Sequence, residues 1–527
     1  MTETATASDG QRERQSLVAR ASVVGAGTLL SRVLGLLRDM TLAALFSRAA
    51  TDAFFVAFTI PNALRQLLGE GAVSSAVVPV LTGKLATENE DSAKYFFARI
   101  RAVSLAALVT VAALGMLFAE PLTELFASGH HARPGDFERT VSMTRWVFPY
   151  IVFAGTAALG MAALHAKRRF AVAAFAPGLL NVGFLGAALL LPPVLLARGM
   201  DPAHALWIGA LVGGVLQVAA QVPALRAIGY AGRPVWDPWD PGVRVVFRRI
   251  APLTFGIGVY YVDLVLSRRF LSELGTGAQS YFSWASRLCD FPQGIFVMAL
   301  STAALPGLSS LAARGDREEL TKTWAHGMGL ALFVAIPASV AMAVLREPLV
   351  AALFQRGEFD ALAVRETARA LLWQGGAIWT VSVVRQILPL FYAVGDTRTP
   401  VLVSVVDLAA FVVLAVVLRG PMGHAGVSAA VAGSSTVQMV LLIVGARWRV
   451  GPLRGGELAK SAARTLGASA VAALGAWGAS QLAGGGVLAA LVGGLVFVTL
   501  FGVAAWGLGA PELSTLFGGV RRRLQHR

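Results

Sequence analysis

Apolar runs of about 18 to 25 residues recur from Ala21 to Leu508, each long enough to cross roughly 30 Å of hydrocarbon as a helix. Lipid supplies no partners for backbone amides and carbonyls. Such segments must satisfy those groups internally, which helices do and open strands do not. Turn and loop signals separate the runs into about 14 spans, at residues 17–46, 50–83, 100–120, 140–165, 171–197, 203–228, 245–272, 277–312, 321–345, 361–393, 398–419, 425–447, 458–482 and 486–509. The expected fold class is all-α, a polytopic membrane protein. Composition agrees: 56% of the residues are hydrophobic and 14% are charged, whereas soluble domains carry roughly a quarter charged.

The formal net charge of +15 could point to nucleic acid, but the basic residues lie mostly in alternate loops. One set of loops holds Lys84, Lys94, Arg99 and Arg101; Lys167, Arg168 and Arg169; Arg226, Arg233, Arg244, Arg248 and Arg249; Arg314, Arg317 and Lys322; Arg398; Arg447, Arg449, Arg454, Lys460 and Arg464; and Arg521, Arg522 and Arg523. Its excess over the opposite set is about three to one, the orientation signal of an inner-membrane protein with both termini cytoplasmic. No nucleic-acid partner is expected. Met1 to Gln15 is polar and the first apolar run is too long for a cleavable leader, so residues 1–16 are expected to be a retained, disordered cytoplasmic segment. The lone cysteine, Cys289, excludes a disulfide framework or a multi-cysteine metal site.

A faint internal repeat runs through the core. "AFF" at Ala53 to Phe55 and "VVPVLTGKLA" at Val77 to Ala86 echo "SYF" at Ser280 to Phe282 and "ALPGLSSLAA" at Ala304 to Ala313, displaced by about 227 positions. The pattern predicts two pseudo-repeated six-helix lobes, 17–228 and 244–447, joined by a cytoplasmic linker at 229–243 where Pro, Gly, Trp and Asp concentrate. Two extra helices at 448–509 and a basic tail at 510–527 complete the plan. Coincidence in a biased composition is the competing explanation of the repeat.

A basic side chain at mid-helix costs about 2.5 to 3.5 kcal/mol on insertion scales, so those inside the spans need a destination. "SRVLGLLRDM" places Arg32 and Arg38 in the first span; Arg65 falls in the second, Arg287 in the eighth and Arg385 in the tenth. We expect Arg32, Arg38, Arg65 and Arg287 to converge on a cationic cavity between the halves. Phosphate or pyrophosphate would suit it, because its oxygens match the guanidinium fork. A bend at Gly35 would turn Arg32 and Arg38 to one side. The alternative is that each arginine snorkels or pairs with a neighbouring acid, as Arg287 and Asp290, three apart, are placed to do.

The second span is interrupted by Pro61, Gly69, Gly71 and Pro79 and carries Asn62, Arg65 and Glu70. This is the pattern of a broken transport helix with hinges at Pro61, Gly69 and Gly71, although a static kink would read the same way. Asp263 and Asp407 stand alone in apolar runs and form a candidate Na⁺ or H⁺ site, unless polar neighbours such as Ser404 satisfy them. Nucleotide-binding, zinc-protease and serine-hydrolase motifs are missing, and His130-His131 lacks a metal-ligand spacing. No cofactor, metal or catalytic residue is expected; energy would come from Na⁺ or H⁺ coupling, the membrane potential or substrate supply.

"SRVLGLLRD" followed by "ATDAFFVAFTIPNALRQLLGEGAVSSAVVPVL", from Ser31 to Leu81, resembles the MurJ (MviN) lipid II flippase family of the multidrug/oligosaccharidyl-lipid/polysaccharide exporter superfamily. "FAPGLLN" at Phe175 to Asn181, "SRLCDFPQGIF" at Ser286 to Phe296 and "GDTRTP" at Gly395 to Pro400 extend the resemblance across much of the chain. The resemblance implies a transporter, not an enzyme. It would move undecaprenyl-pyrophosphate-linked peptidoglycan precursor, lipid II, from the cytoplasmic to the periplasmic leaflet by alternating access. It further implies substrate-binding roles for Arg32, Arg38, Arg65 and Arg287, acids of the family pattern at Asp52, Glu70 and Asp290, a polar cavity position at Ser280 and another basic one at Arg385. The helices at 448–509 resemble the family's lipid-tail groove.

One position departs from the family: Ser286 stands where members often place an acid, leaving Arg287 one partner fewer. Expected partners are lipid II and membrane lipids, with the chain acting as a monomer that associates with the cell-wall synthesis machinery. The alternative function is a flippase for another polyprenyl-linked glycan or a small-molecule exporter of the same superfamily. A membrane glycosyltransferase or phosphatase would need a catalytic extramembrane loop, and a scaffold would leave the arginines dispensable.

Overall fold

The computed structural model describes residues 25–67, 73–256 and 258–515, and every regular element among them is helical. Packing divides the chain into two compact units, Met1–Glu273 and Leu274–Arg527. The first contains α1 (residues 25–45), α2 (Arg48–Leu67), α3 (Val73–Thr87), α4 (Glu90–Leu117), α5 (Ala119–Ala127), α6 (Asp136–Val147), α7 (Tyr150–Ala166), α8 (Phe170–Phe175), α9 (Gly178–Ala197), α10 (His204–Ala227), α11 (Pro241–Gly256) and α12 (Gly258–Ser272). The second contains α13 (Ala278–Pro292), α14 (Met298–Ala313), α15 (Arg317–Val344), α16 (Arg346–Phe354), α17 (Ala361–Gly376), α18 (Ile378–Ala393), α19 (Arg398–Met422), α20 (His424–Arg449), α21 (Gly455–Leu482) and α22 (Gly486–Gly507).

Among the described residues, nine helical segments are long and apolar enough to cross a membrane, and shorter apolar helices accompany them. The chain is a multi-pass membrane protein. The span at 50–83 contains α2 and α3, and that at 245–272 contains α11 and α12; residues 68–72 and 257 between them lie outside the described residues. The span at 277–312 passes from α13 through a π-helical stretch, Gln293–Val297, into α14. Pro292 ends α13 at that point; its missing N–H and ring bulk disfavour a continuous α ladder, and a π turn accommodates the disturbance.

Two pairs of helices keep the displacement of the residue echoes. α4 and α15 are both 28 residues long, and α5 and α16 both nine. The partners in each pair start about 227 positions apart. Their capping chemistry matches. Asn89 accepts from the Ser92 amide and Asp316 from the Glu319 amide, each ahead of two acids in the first turn. Such caps contribute about 1 kcal/mol each, and the acids favour the positive end of the helix dipole. Polar first turns of this kind explain why α4 starts at Glu90, ten residues before the apolar run used to place the span.

In the first unit α9 and α10 pack on glycine. A Cβ on Gly213 would lie 2.7 Å from the Leu180 carbonyl oxygen, and one on Gly183 would meet the Gly213 backbone. Gly209 and Gly213 are four apart on α10, the small-residue spacing that lets two membrane helices approach to backbone contact. In the second unit an apolar core is built from Trp324, Met328 and Leu332 of α15, Ile387, Leu390 and Phe391 of α18, and Met439, Leu442 and Ala446 of α20.

The 229–243 segment is bound to the first unit. Arg101 donates to the carbonyls of Tyr230 and Gly232, and Arg99 pairs with Asp240 at 2.7 Å and Asp237 at 3.3 Å. Lys167 pairs with Glu90 and lies 5.6 Å above the Tyr230 ring. Beyond this segment α11 packs on α3 and α12 on α5. The packing division falls after Glu273, not at the linker expected at 229–243. Residues 1–16 and most of the basic tail lie outside the described residues.

Gly213→Leu is expected to force the α9–α10 backbones apart and to cost about 1–3 kcal/mol, the range for overpacking. Thermal unfolding of the purified protein in detergent measures it, and an unchanged midpoint would mean that the seam tolerates a side chain.

Candidate functional site

In the first unit the site is organised around Arg38, which is buried beside the equally buried Asp39. Its Nε and Nη2 donate to Asp39 Oδ1 at 2.8 and 2.6 Å, and Nη1 donates to Asn181 Oδ1 at 3.0 Å. The guanidinium also lies 5.4 Å from the centre of the Phe184 ring. Asn181 completes a clasp by donating through Nδ2 to the Ser31 carbonyl at 2.9 Å, so one α9 side chain holds α1 at two points. Gly35 faces the same residue: a Cβ there would lie 3.6 Å from Asn181 Nδ2, an ordinary contact. Helix α1 runs through Gly35 without interruption.

On α2, Asp52 is buried and Arg65 is partly buried, its Nε donating to Asn62 Oδ1 at 3.1 Å. The helix continues through Pro61 to Leu67. Glu70, Gly69 and Gly71 lie outside the described residues. Arg32 is partly buried two turns before Arg38. Phe54, Phe58, Phe184 and Tyr150 form an aromatic cluster against this face, with successive ring centres 5.3 to 5.6 Å apart.

In the second unit Ser280, Arg287 and Asp290 lie on α13. Ser280 is buried, while Arg287 Nη1 approaches Asp290 Oδ2 at 3.8 Å on a partly open face. Ser286 donates to Gln374 Oε1 at 2.8 Å, and Gln374 Nε2 donates to Ser428 Oγ at 2.9 Å. These bonds tie α13 to α17 and α20, so the serine that departs from the family pattern has a neutral partner. Arg385 lies on α18, where its carbonyl accepts from Ser301 and the adjacent Gln386 donates to the Val297 carbonyl at 2.9 Å. Gln386 thereby engages the backbone at the end of the π stretch.

Asp263 lies partly buried on α12 of the first unit, and Asp407 partly buried on α19 of the second. One Asp407 oxygen, Oδ1, is buried without a hydrogen-bond partner among the described residues. Ser404 is engaged elsewhere, donating to the Pro400 carbonyl. Among the described residues no cluster of three or more His, Cys, Asp or Glu side chains could hold a metal ion.

A groove of about 1190 Å³ opens between the end of α15, α16 and the α21–α22 hairpin. Val344, Leu466, Leu474 and Trp477 line it, and Arg346 and Glu347 add charge to its wall. Two residues that sequence reasoning did not single out, Asn181 and Gln374, join helices through their side-chain amides. Their signal was an isolated amide in an apolar run, "GLLN" and "LLWQ".

A family model for the lipid II flippase MurJ matches residues 42–497. The lipid II flippase MurJ of Burkholderia cenocepacia is 35% identical over 80% of this chain and 82% of its own length. The probable lipid II flippase MurJ of Bdellovibrio bacteriovorus is 34% identical over 83% of each chain. The chain belongs to the MurJ family. A solved structure of lipid II flippase MurJ in an inward closed conformation shares its fold, with a TM-score of 0.76 at 19% identity over 94% of this chain and 99% of that one. An inward-facing multidrug resistance MATE transporter follows at 0.65 and 16% identity, covering 81% and 96%. The MurJ family match contains Asp52, Arg65, Arg287 and Arg385, and begins after Arg32 and Arg38.

Outside the membrane helices, His130 is the most perturbed histidine. Thr140 donates to the Asp136 carbonyl and so accepts from His130 Nδ1 at 2.8 Å. Nε2 is then the unprotonated nitrogen, buried without a partner among the described residues. Burial, aided by Arg133, pushes the imidazole down to about 4. Because the unfolded chain binds the proton near 6.5, this contribution is complete above that value and is lost as pH falls toward about 4.

Thermal unfolding midpoints should therefore decline between these limits, and His130→Gln should flatten the decline. Asn181→Ala, which removes the hydrogen bonds from Arg38 Nη1 and to the Ser31 carbonyl, is expected to cost about 1–3 kcal/mol. The same unfolding assay reads it, and a midpoint equal to that of the parent protein would contradict the clasp.

Proposed function

We propose that the protein is a lipid II flippase, moving undecaprenyl-pyrophosphate-linked peptidoglycan precursor from the cytoplasmic to the periplasmic leaflet by alternating access. The observation that carries the reading is the set of partly buried arginines, Arg32, Arg65 and Arg287, held on helices of a chain whose family relatives bear that name. Each would present a guanidinium fork to pyrophosphate oxygens, and binding that dianionic group offsets the cost of keeping the cations in the membrane. Arg38 takes part as the residue that fixes α1. Asp52, Asn62, Glu70, Ser280, Asp290 and Arg385 supply the remaining polar contacts, and Gly69 and Gly71 the hinge positions.

The groove beside α21 and α22 would accept the polyprenyl tail in or near lipid while the headgroup crosses. The lobes are those of the repeat, 17–228 and 244–447. The protein lies in the inner membrane as a monomer with both termini cytoplasmic, beside the cell-wall synthesis machinery. Transport is driven by Na⁺ or H⁺ coupling or by the membrane potential, with Asp263 and Asp407 as the candidate cation residues.

Proteoliposomes carrying fluorescent lipid II test the reading through leaflet accessibility of the label. Arg32→Ala, Arg65→Ala and Arg287→Ala should each slow translocation by about tenfold to a hundredfold, the equivalent of losing one charge-assisted hydrogen-bonding group. Parent-like rates in all three, at equal protein incorporation, would remove the arginines from the mechanism. Movement of a different polyprenyl-linked glycan with lipid II left in place would assign another substrate.

A further inference from the structure

In the second unit a pocket of about 690 Å³ opens between the α14–α15 corner, the α18–α19 corner and the end of α20. Its charged lining is Arg317, Arg398, Arg449 and Asp396. The two corners are built alike. Gly315 and Gly395, with φ of 74° and 77°, turn the chain out of α14 and α18 through the left-handed region that glycine tolerates. The aspartate after each holds the start of the next helix: Asp316 accepts from the Glu319 amide at 3.1 Å and Asp396 from the Thr399 amide at 3.0 Å. An arginine then opens each new helix, Arg317 in α15 and Arg398 in α19.

The carboxylates around the pocket are committed. Asp396 accepts from the Arg398 amide, the Thr399 amide and hydroxyl, and Arg449 Nε at 2.9 Å. Glu319 pairs with Lys322 at 3.2 Å, and Glu318 approaches Arg454 at 3.6 Å. Arg317 and Arg398 are exposed, and among the described residues neither guanidinium has a hydrogen bond or an ion pair. Three guanidiniums against one carboxylate leave two positive charges in the pocket without a counter-charge. Ser309 and Thr397 add hydroxyl donors to its wall.

Arginine forks beside hydroxyls suit phosphate oxygens. A phosphodiester carries one negative charge and would leave one guanidinium unmatched, whereas a phosphomonoester approaches two. An apolar surface starts one turn away. Leu402 stands four residues after Arg398, on the same face of α19, and Val405 and Val406 extend that face; all three are exposed.

We propose that this pocket binds a terminal, dianionic phosphate group through Arg317, Arg398 and Arg449. The stripe from Leu402 to Val406 favours a lipid source, phosphatidic acid, whose acyl chain would lie along α19. The site is separate from the arginines assigned to pyrophosphate, and its occupant joins the ends of α15, α19 and α20.

The test reconstitutes the full chain in nanodiscs with equal parts phosphatidic acid, phosphatidylglycerol and phosphatidylcholine, then releases it in detergent and reads retained lipid by native mass spectrometry. Phosphatidic acid should exceed each of the others by about tenfold, the worth of one charge-assisted hydrogen bond. Arg317→Gln and Arg398→Gln should each remove that preference. Arg447→Gln, also exposed at the end of α20 but outside the pocket, should keep it. A second arm adds millimolar inorganic phosphate to the chain in phosphatidylcholine nanodiscs: a rise in unfolding midpoint that both pocket variants lose, without any lipid preference, would assign the pocket to soluble phosphate. Phosphatidylglycerol retained as well as phosphatidic acid, an equal loss in Arg447→Gln, or neither probe separating the parent from the pocket variants would overturn the proposal.

Discussion

Charge inside a membrane helix bundle must be answered locally, and the bond from Arg38 to Asp39 is where this protein meets that demand most directly. A guanidinium at this depth would cost several kcal/mol if left alone. Here two of its nitrogens reach one carboxylate, a third reaches Asn181 and its Cζ lies 5.4 Å from the centre of the Phe184 ring. The pair is therefore nearly neutral as a unit. Asn181 uses its other end to hold the Ser31 carbonyl, so the solution to an electrostatic problem also fixes the position of α1 on α9. Ser286, Gln374 and Ser428 do comparable work in the second unit with neutral groups, joining three helices without a charge to compensate.

The helices themselves were readable because lipid removes every alternative: apolar length alone predicts them. Their breaks were less readable: Pro61 and Gly35, both expected as hinges, lie within continuous helix. A proline in a membrane helix can be accommodated by its neighbours, so its presence does not fix a break. The short helices α5 and α16 escaped notice because nine residues are too few for a hydropathy window. Both are nine residues long and keep the displacement of the residue echoes.

At the site, pairings between helix neighbours were legible and those across helices were not. Arg287 and Asp290 are three apart, so their shared face follows from helix geometry. Arg38 and Asp39 are adjacent, and adjacent residues leave a helix in different directions; only the length of the arginine side chain lets it fold back. Asn181 stands 143 positions from Arg38, a contact that no local pattern encodes. The "FAPGLLN" and "SRLCDFPQGIF" stretches were recognised as family features, yet the sequence alone did not reveal that the first ends on a helix clasp and the second runs into a π turn.

That π turn, Gln293–Val297, amounts to an extra residue absorbed between α13, which carries Arg287, and α14. Each residue turns an α-helix by about 100°, so the insertion sets which side of α14 meets α15 and α18. Natural length variation in this stretch would consequently not be neutral: a relative one residue shorter here must either present a different stripe of α14 inward or have redesigned the surfaces that receive it.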